Sequence, residues 1–327
     1  MLKRAGHLKA ALMLVLATAF WGVSFPTMKA LSQAQQASMP GESTWFISSV
    51  CVVWRFGAAA LLLLGWCAPT LRGLTRLEVL QGLGLGIFGS AGIILQMDGL
   101  AYTSASTSAF LTQSYCLIIP LWVARVEKRW PSLIVLASCL LVVLGAGVLL
   151  GVRLDNLHFG RGEWETLMAA CVFTGQILWL QRPRFAPNRV THFSLVMFAV
   201  MVLFAIPVVV LTARHLGSAL TAYSSVPCLT MLAILVGFST LGAYLLMNAW
   251  QPLVSATEAG LIYCAEPLFA SLVALVMPAW LSTLASIDYP NETLTSHLFL
   301  GGGLITLANV MVQFQAPDGP VQSAQDA

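Results

Sequence analysis

The sequence predicts an all-α membrane protein of ten transmembrane helices, built as two five-helix halves inserted in opposite senses. Three observations predict it. Of 327 residues, 58% are apolar and only 9% charged, where a soluble domain averages roughly 25% charged. Ten uncharged or nearly uncharged runs each approach the length of about 20 apolar residues that a bilayer crossing needs. The chain also aligns with itself at a shift of 151 residues. So few charges cannot cover a folded water-soluble surface, and disorder would require low hydrophobicity. The net charge of +3 punctuates apolar runs, whereas a nucleic-acid binder would gather it on one face of a soluble module.

In chain order the spans are expected near 8–31, 45–67, 79–101, 104–124, 132–151, 163–181, 191–212, 227–250, 253–279 and 297–315. The first follows Lys3, Arg4 and Lys9 and stays uncharged from Ala10 to Met28. That exceeds a secretory apolar region of about 7–15 residues, so it reads as an uncleaved span. The run from Leu216 to Thr257 carries no formal charge and is too long for one helix. Gln251-Pro252 divides it, because proline disfavours helix at the residue before it.

Basic residues set the orientation. With the N-terminus inside, eleven fall on the cytoplasmic side: Lys3, Arg4, Lys9, Arg72, Arg76, Arg125, Lys128, Arg129, Arg182, Arg184 and Arg189. Three fall outside, at Arg153, Arg161 and Arg214. Both termini are therefore expected in the cytoplasm. Seven scattered cysteines show no metal-ligand spacing and read as small apolar packing residues.

The 151-residue shift places Ser104-Ala105 on Ser255-Ala256, Ile94-Leu95 on Leu245-Leu246 and Tyr115 on Glu266. Five spans per half turn the second copy upside down, the arrangement of many secondary transporters, whose site lies between the halves. The expected organisation is a first repeat over 1–151, an external connection over 152–162, and a second repeat over 163–315 with an inserted external loop near 281–296. A cytoplasmic tail, 316–327, follows. Asn291-Glu292-Thr293 matches a glycosylation acceptor, a pattern too short to weigh heavily.

The stretch Phe20-Trp21-Gly22-Val23-Ser24-Phe25 with Lys29, then Arg55-Phe56, Tyr102-Thr103-Ser104-Ala105-Ser106 and Glu266-Pro267, resembles EamA-type members of the drug/metabolite transporter superfamily. The resemblance spans nearly the whole chain in two copies. It implies ten helices in two inverted five-helix repeats around a central cavity, and a permease, often an exporter of amino acids, other metabolites or drugs. It also implies a bacterial inner-membrane setting. Two departures stand out: Cys116 where the family often has proline (here at Pro120), and a longer Ser282–Leu294 loop.

Charges inside a bilayer need a partner or a task. Lys29 and Asp98, toward the outer ends of their helices, are expected to pair, or Lys29 to snorkel to the headgroups. Glu258 reads as a wetted carboxylate near the cytoplasmic end of its helix. Arg55 lies mid-span and either ties helices together or binds substrate or a counter-ion. Glu266, near the middle of the ninth span, either joins helices, with Arg55 a possible partner, or binds substrate or a coupling proton. Ser104, Ser106, Thr107, Ser108, Thr112 and Ser114 on the fourth span serve close packing or a cavity wall. Trp21, Tyr115, Trp179, Tyr244 and Tyr263 lie inside spans, away from the interfacial belt where aromatics gather. The candidate cavity residues are thus Trp21, Ser24, Arg55, Thr112, Tyr115, Trp179, Tyr244, Tyr263 and Glu266. Pro26, Pro120 and Pro267 are candidate bending points.

No Walker loop is present, so energy must come from an ion gradient or from the substrate's own. The alternative class is an intramembrane enzyme or a receptor-like protein without transport. All five histidines fall at loops or span ends, leaving a buried serine without an evident base. No catalytic residue, metal or cofactor is expected. The expected partners are a small-molecule substrate and membrane lipid, with no nucleic acid. Few fixed intramembrane charges disfavour a phosphate ester and favour small amphipathic solutes such as amino acids.

Overall fold

The computed structural model describes residues 2–103, 105–149, 160–293 and 295–314. Among these residues every regular element is a helix and there is no strand. Ser104, most of the 152–162 connection and the 316–327 tail lie outside the described residues, as do the side chains of Ser106 and Thr107.

Helices occupy all ten expected positions. Six are continuous: α3 (Thr44–Cys67), α4 (Arg76–Tyr102), α7 (Leu133–Leu149), α8 (Arg161–Leu180), α9 (Val190–Thr212) and α16 (Ser296–Phe314). Four are interrupted. The first divides into α1 (Leu2–Gly22) and α2 (Ser24–Ser38), the fourth into α5 (Ala105–Thr112) and α6 (Tyr115–Glu127). The eighth runs as α11 (Val226–Ile234), a π-helical stretch over Leu235–Gly242, then α12 (Ala243–Trp250), with the short α10 (Ser218–Thr221) before it. The ninth divides into α13 (Ala256–Tyr263) and α14 (Glu266–Ala274). By length and apolarity alone, five described stretches suffice to cross a bilayer, or six with the bent pair Ala256–Ala274 and Met277–Ala285.

Local chemistry explains the ends and the breaks. Ser43 and Ser255 accept hydrogen bonds from Phe46 N and Glu258 N, and Thr75 with Glu78 forms a capping box, satisfying amides that a helix start leaves orphaned. Val23 interrupts the first helix three residues before Pro26, and Cys264-Ala265 interrupts the ninth just before Pro267, as expected where proline removes a helical donor. Pro120 behaves otherwise: α6 continues through it, and the break falls earlier, at Gln113-Ser114. The expected loop near 281–296 is also partly helical. Its first residues belong to α15 (Met277–Ala285), bent 60° from the preceding helix and packed on α2. Asn291 Oδ1 then accepts from Ala279 N at 2.7 Å, tying the returning chain to the first turn of α15.

Side chains are distributed inside out relative to a water-soluble protein. Leu61, Trp66 and Leu211 are 70–83% exposed, while Arg55, Gln96, Asp98, Gln113, Gln251 and Glu266 are buried. Such an apolar exterior fits lipid as solvent, because lipid offers polar groups no acceptor.

The main packing pairs are α4 with α8, α16 with α7, α3 with α9, and α4 with α9; α1 packs on α12, α13 and α14, and α5 and α6 on α8. The π stretch meets α3, and α5 and α6 meet α14 and α13. Counting the ten helical segments in order, this pattern is unchanged when each segment is exchanged with the one five places away. Where α4 crosses α8 the backbones nearly touch. A Cβ on Gly99 would lie 2.8 Å from Gly162 O, and one on Gly162 2.7 Å from Gly99 O.

Candidate functional site

The helix breaks lie at equivalent places. Gln113-Ser114 and Cys264-Ala265 are 151 residues apart, and the segments carrying them pack together. At both, the ladder tightens to three-residue steps: Ser114 N to Leu111 O at 3.1 Å, and Ala265 N to Ile262 O at 3.0 Å. Each break is followed by a polar residue that opens the next helix, Tyr115 in one and Glu266 in the other. Glu266 is 8% exposed. The Gln113 side chain faces it, and Tyr115 lies within Coulombic reach of it.

Aromatic rings adjoin this junction. Trp21, at the end of α1, meets Tyr244 and Tyr263 edge-to-face at 5.7 and 5.3 Å between centroids, a favoured aromatic geometry. Phe56 packs on Tyr244 at 5.8 Å. The Tyr263 hydroxyl donates to Gln251 Oε1 at 2.9 Å, and Gln251 Nε2 donates to Ile177 O at 2.9 Å. Tyr244 stands within Coulombic reach of both Arg55 and Glu266.

Arg55 is 1% exposed. Its Nε donates to Thr240 Oγ1 at 2.6 Å and an Nη to Ser239 O at 3.2 Å. Both acceptors belong to the π-helical stretch, whose wider turns re-aim backbone groups and often mark functional sites. Thr240 Oγ1 in turn donates to Leu235 O at 2.9 Å, and Ser239 Oγ to Phe20 O at 2.9 Å. Among the described residues no ion pair joins Arg55 to Glu266, so the possible pairing of the two is not formed. A buried guanidinium held by neutral acceptors keeps its charge available to an anion.

The structure thus gathers Trp21, Tyr115, Tyr244, Tyr263 and Glu266, with Arg55 alongside. Ser24, the first residue of α2, donates to Trp21 O of α1 at 2.7 Å, a local bond across the break at Val23. Thr112 accepts from Gln96 Nε2 at 3.0 Å, tying α5 to α4. Trp179 stands apart. It fills a slot between α8 and α4 opposite Gly84, donates to Gln81 O at 3.2 Å, and lies 4.1 and 5.3 Å from the Arg182 and Arg184 guanidinium carbons. Its depth is that of a helix end.

Two other expectations are corrected. Lys29 and Asp98 do not pair: Lys29 Nζ donates to Leu100 O at 2.7 Å and Thr103 O at 3.2 Å, and Asp98 is held by Arg161. Glu258 is not a wetted carboxylate, being 7% exposed and bonded to His7 Nε2 at 2.9 Å. Sequence reasoning also passed over Gln96, Gln113, Ser239, Thr240 and Gln251. Their signal was an uncharged polar side chain inside an apolar run, which formal charge does not register. Among the described residues no cluster of three or more metal-ligating side chains occurs.

Residues 8–151 match the model of the EamA-like transporter family. An "uncharacterized transporter" of Archaeoglobus fulgidus is 26% identical over 94% of this chain and 87% of its own length. A solved crystal structure superimposes with a TM-score of 0.63, covering 93% of this chain and 95% of its own, at 17% identity, a likeness of fold. These likenesses point to a transporter rather than an enzyme. Over residues 8–151 the chain is thus similar to the EamA-like transporter family, and with the Archaeoglobus fulgidus relative this likeness fits a multi-pass membrane transporter of the drug/metabolite transporter superfamily.

Proposed function

We propose that the protein is a secondary transporter that exports small amphipathic metabolites, such as amino acids, by alternating access between two inverted five-helix halves. The carrying observation is the facing pair of helix breaks at Gln113-Ser114 and Cys264-Ala265. Interrupted helices at corresponding positions of two halves mark the substrate site of inverted-repeat transporters. The exchange symmetry of the helix pairs supports ten crossings and the inverted arrangement. Trp21, Tyr244 and Tyr263 offer apolar faces to a substrate, while the Arg55 guanidinium and the Glu266 carboxyl group offer polar partners.

Two sets of hydrogen bonds favour reading the side nearer the N-terminus as closed in this conformation. His7 bonds Glu258 across α1 and α13, and Tyr263, Gln251 and Ile177 O form a polar bar across α13 and α8. Opening that side requires α13 to leave α1 and α8, with the breaks at Val23 and Cys264-Ala265 absorbing the bend.

The deciding experiment is efflux of a panel of labelled metabolites from expressing cells, repeated with the purified protein in proteoliposomes. Saturable flux of an amphipathic solute is expected; no flux of any solute would overturn the reading. Reporter fusions after Arg129 and Arg189 should read cytoplasmic, and one after His158 external. The reverse pattern would reject the topology. A cysteine placed beside Tyr115, in a background without the exposed Cys171, should change the side from which it is labelled when substrate is added. Labelling from one side under all conditions would reject alternating access.

A further inference from the structure

Three charged side chains meet where α4 crosses α8, away from the aromatic junction. Asp98 is fully buried, and its Oδ2 accepts from an Arg161 Nη at 2.5 Å. Arg161 Nε donates to Glu165 Oε1 at 2.8 Å, so one guanidinium serves two carboxyl groups. The remaining oxygens, Asp98 Oδ1 and Glu165 Oε2, are buried without a hydrogen-bond partner. The two carboxyls lie within hydrogen-bonding reach of each other.

The surrounding groups are committed elsewhere. Lys29 of α2 bonds the carbonyls of Leu100 and Thr103. Glu163 of α8 accepts from Thr103 Oγ1 at 2.6 Å and Gly160 N at 2.9 Å. The Tyr102 hydroxyl accepts from Arg161 at 2.8 Å and bonds Thr44 Oγ1 of α3 at 3.0 Å. Arg55 of α3 is bonded to the π stretch, α5 has no charged residue, and His192 of α9 bonds Thr70 O in the turn between α3 and α4. Two buried acceptors left without a partner on neighbouring carboxyl groups call for a donor. Two adjoining carboxyls beside one cation resist double ionisation, as in other carboxyl pairs that hold one proton.

We propose that Asp98 and Glu165 hold a single proton between their two carboxyl groups, and that this proton couples transport. It is loaded from the external face past Arg161, whose side chain is 43% exposed. The coupling role rests on the transporter reading above; the proton site does not. With the proton bound, the cluster is electrically balanced and α4 lies against α8 at Gly99 and Gly162. Once the proton leaves, two carboxylates oppose each other beside one guanidinium, and the repulsion acts directly on that helix crossing.

The test is an infrared pH titration of the full-length protein in lipid, comparing parent, Asp98→Asn, Glu165→Gln and Glu163→Gln. The parent should show a protonated-carboxyl carbonyl band that vanishes at high pH. That band should be lost in Asp98→Asn and in Glu165→Gln, and kept in Glu163→Gln. If Asp98→Asn fails to fold, Glu165→Gln decides alone. A parent spectrum unchanged by the Glu165→Gln substitution would overturn the site. In proteoliposomes, the external-pH dependence of flux for a labelled metabolite panel should disappear in Glu165→Gln. Unaltered pH dependence would overturn coupling. Absence of any flux by the parent would instead sink the transporter reading, leaving the infrared result to judge the proton site.

Discussion

A Glu266→Gln variant is expected to insert and melt like its parent while losing about tenfold or more of its flux. One charge-assisted hydrogen bond is worth roughly 1.5–3 kcal/mol, and about 1.4 kcal/mol is tenfold in an equilibrium constant. Glutamine keeps the shape of the side chain and can still meet Gln113. A residue that only joins α14 to α5 would therefore tolerate the change. A group that meets the substrate's charge would not. Initial flux rates across a range of pH in proteoliposomes read the difference, with melting of the detergent-purified variant as the folding control. Full flux at every pH would remove Glu266 from the site.

The second large effect concerns the crossing of α4 and α8. Valine at Gly99 would drive a Cβ to 2.8 Å from the carbonyl oxygen of Gly162, a backbone atom that cannot rotate away. Overpacking of this kind destabilises by about 1–3 kcal/mol, and here it must separate two helices whose backbones nearly touch. Gly99→Val should melt at a clearly lower temperature than the parent in detergent. Gly65→Val, where nothing lies within 4 Å of the new Cβ, should not. Equal melting of the two variants would show that the crossing is looser than its geometry implies.

Much of the architecture was legible because charge and hydropathy report directly on lipid. The run expected at 45–67 is α3, Thr44–Cys67, and that at 191–212 is α9, Val190–Thr212. What stayed hidden depends on hydrogen bonding within an apolar helix. The π stretch at Leu235–Gly242 and the tightened turns at residues 113–114 and 264–265 have the same composition as the rods around them. Helix rotation was equally illegible. Trp179 has a span's hydropathy yet faces Gly84 and the arginines at a helix end. Asp98 finds Arg161, 63 residues away, because α4 packs on α8, a tertiary fact no local pattern carries. The second half of α15 was read as loop, although its residues continue a helix begun inside the expected ninth span.

The pairing of α7 with α16 bears on how the molecule is made. These close the two proposed halves, and each packs mainly on the other. During synthesis α7 reaches the membrane long before α16, the last described helix, emerges from the ribosome. Until then α7 has only lipid or an insertion chaperone on the face that α16 will cover. Likewise α4 waits for α8 and α9. The stretch up to α7, though a recognisable unit of sequence, is thus a client rather than a finished domain, and its packing closes only when α16 arrives.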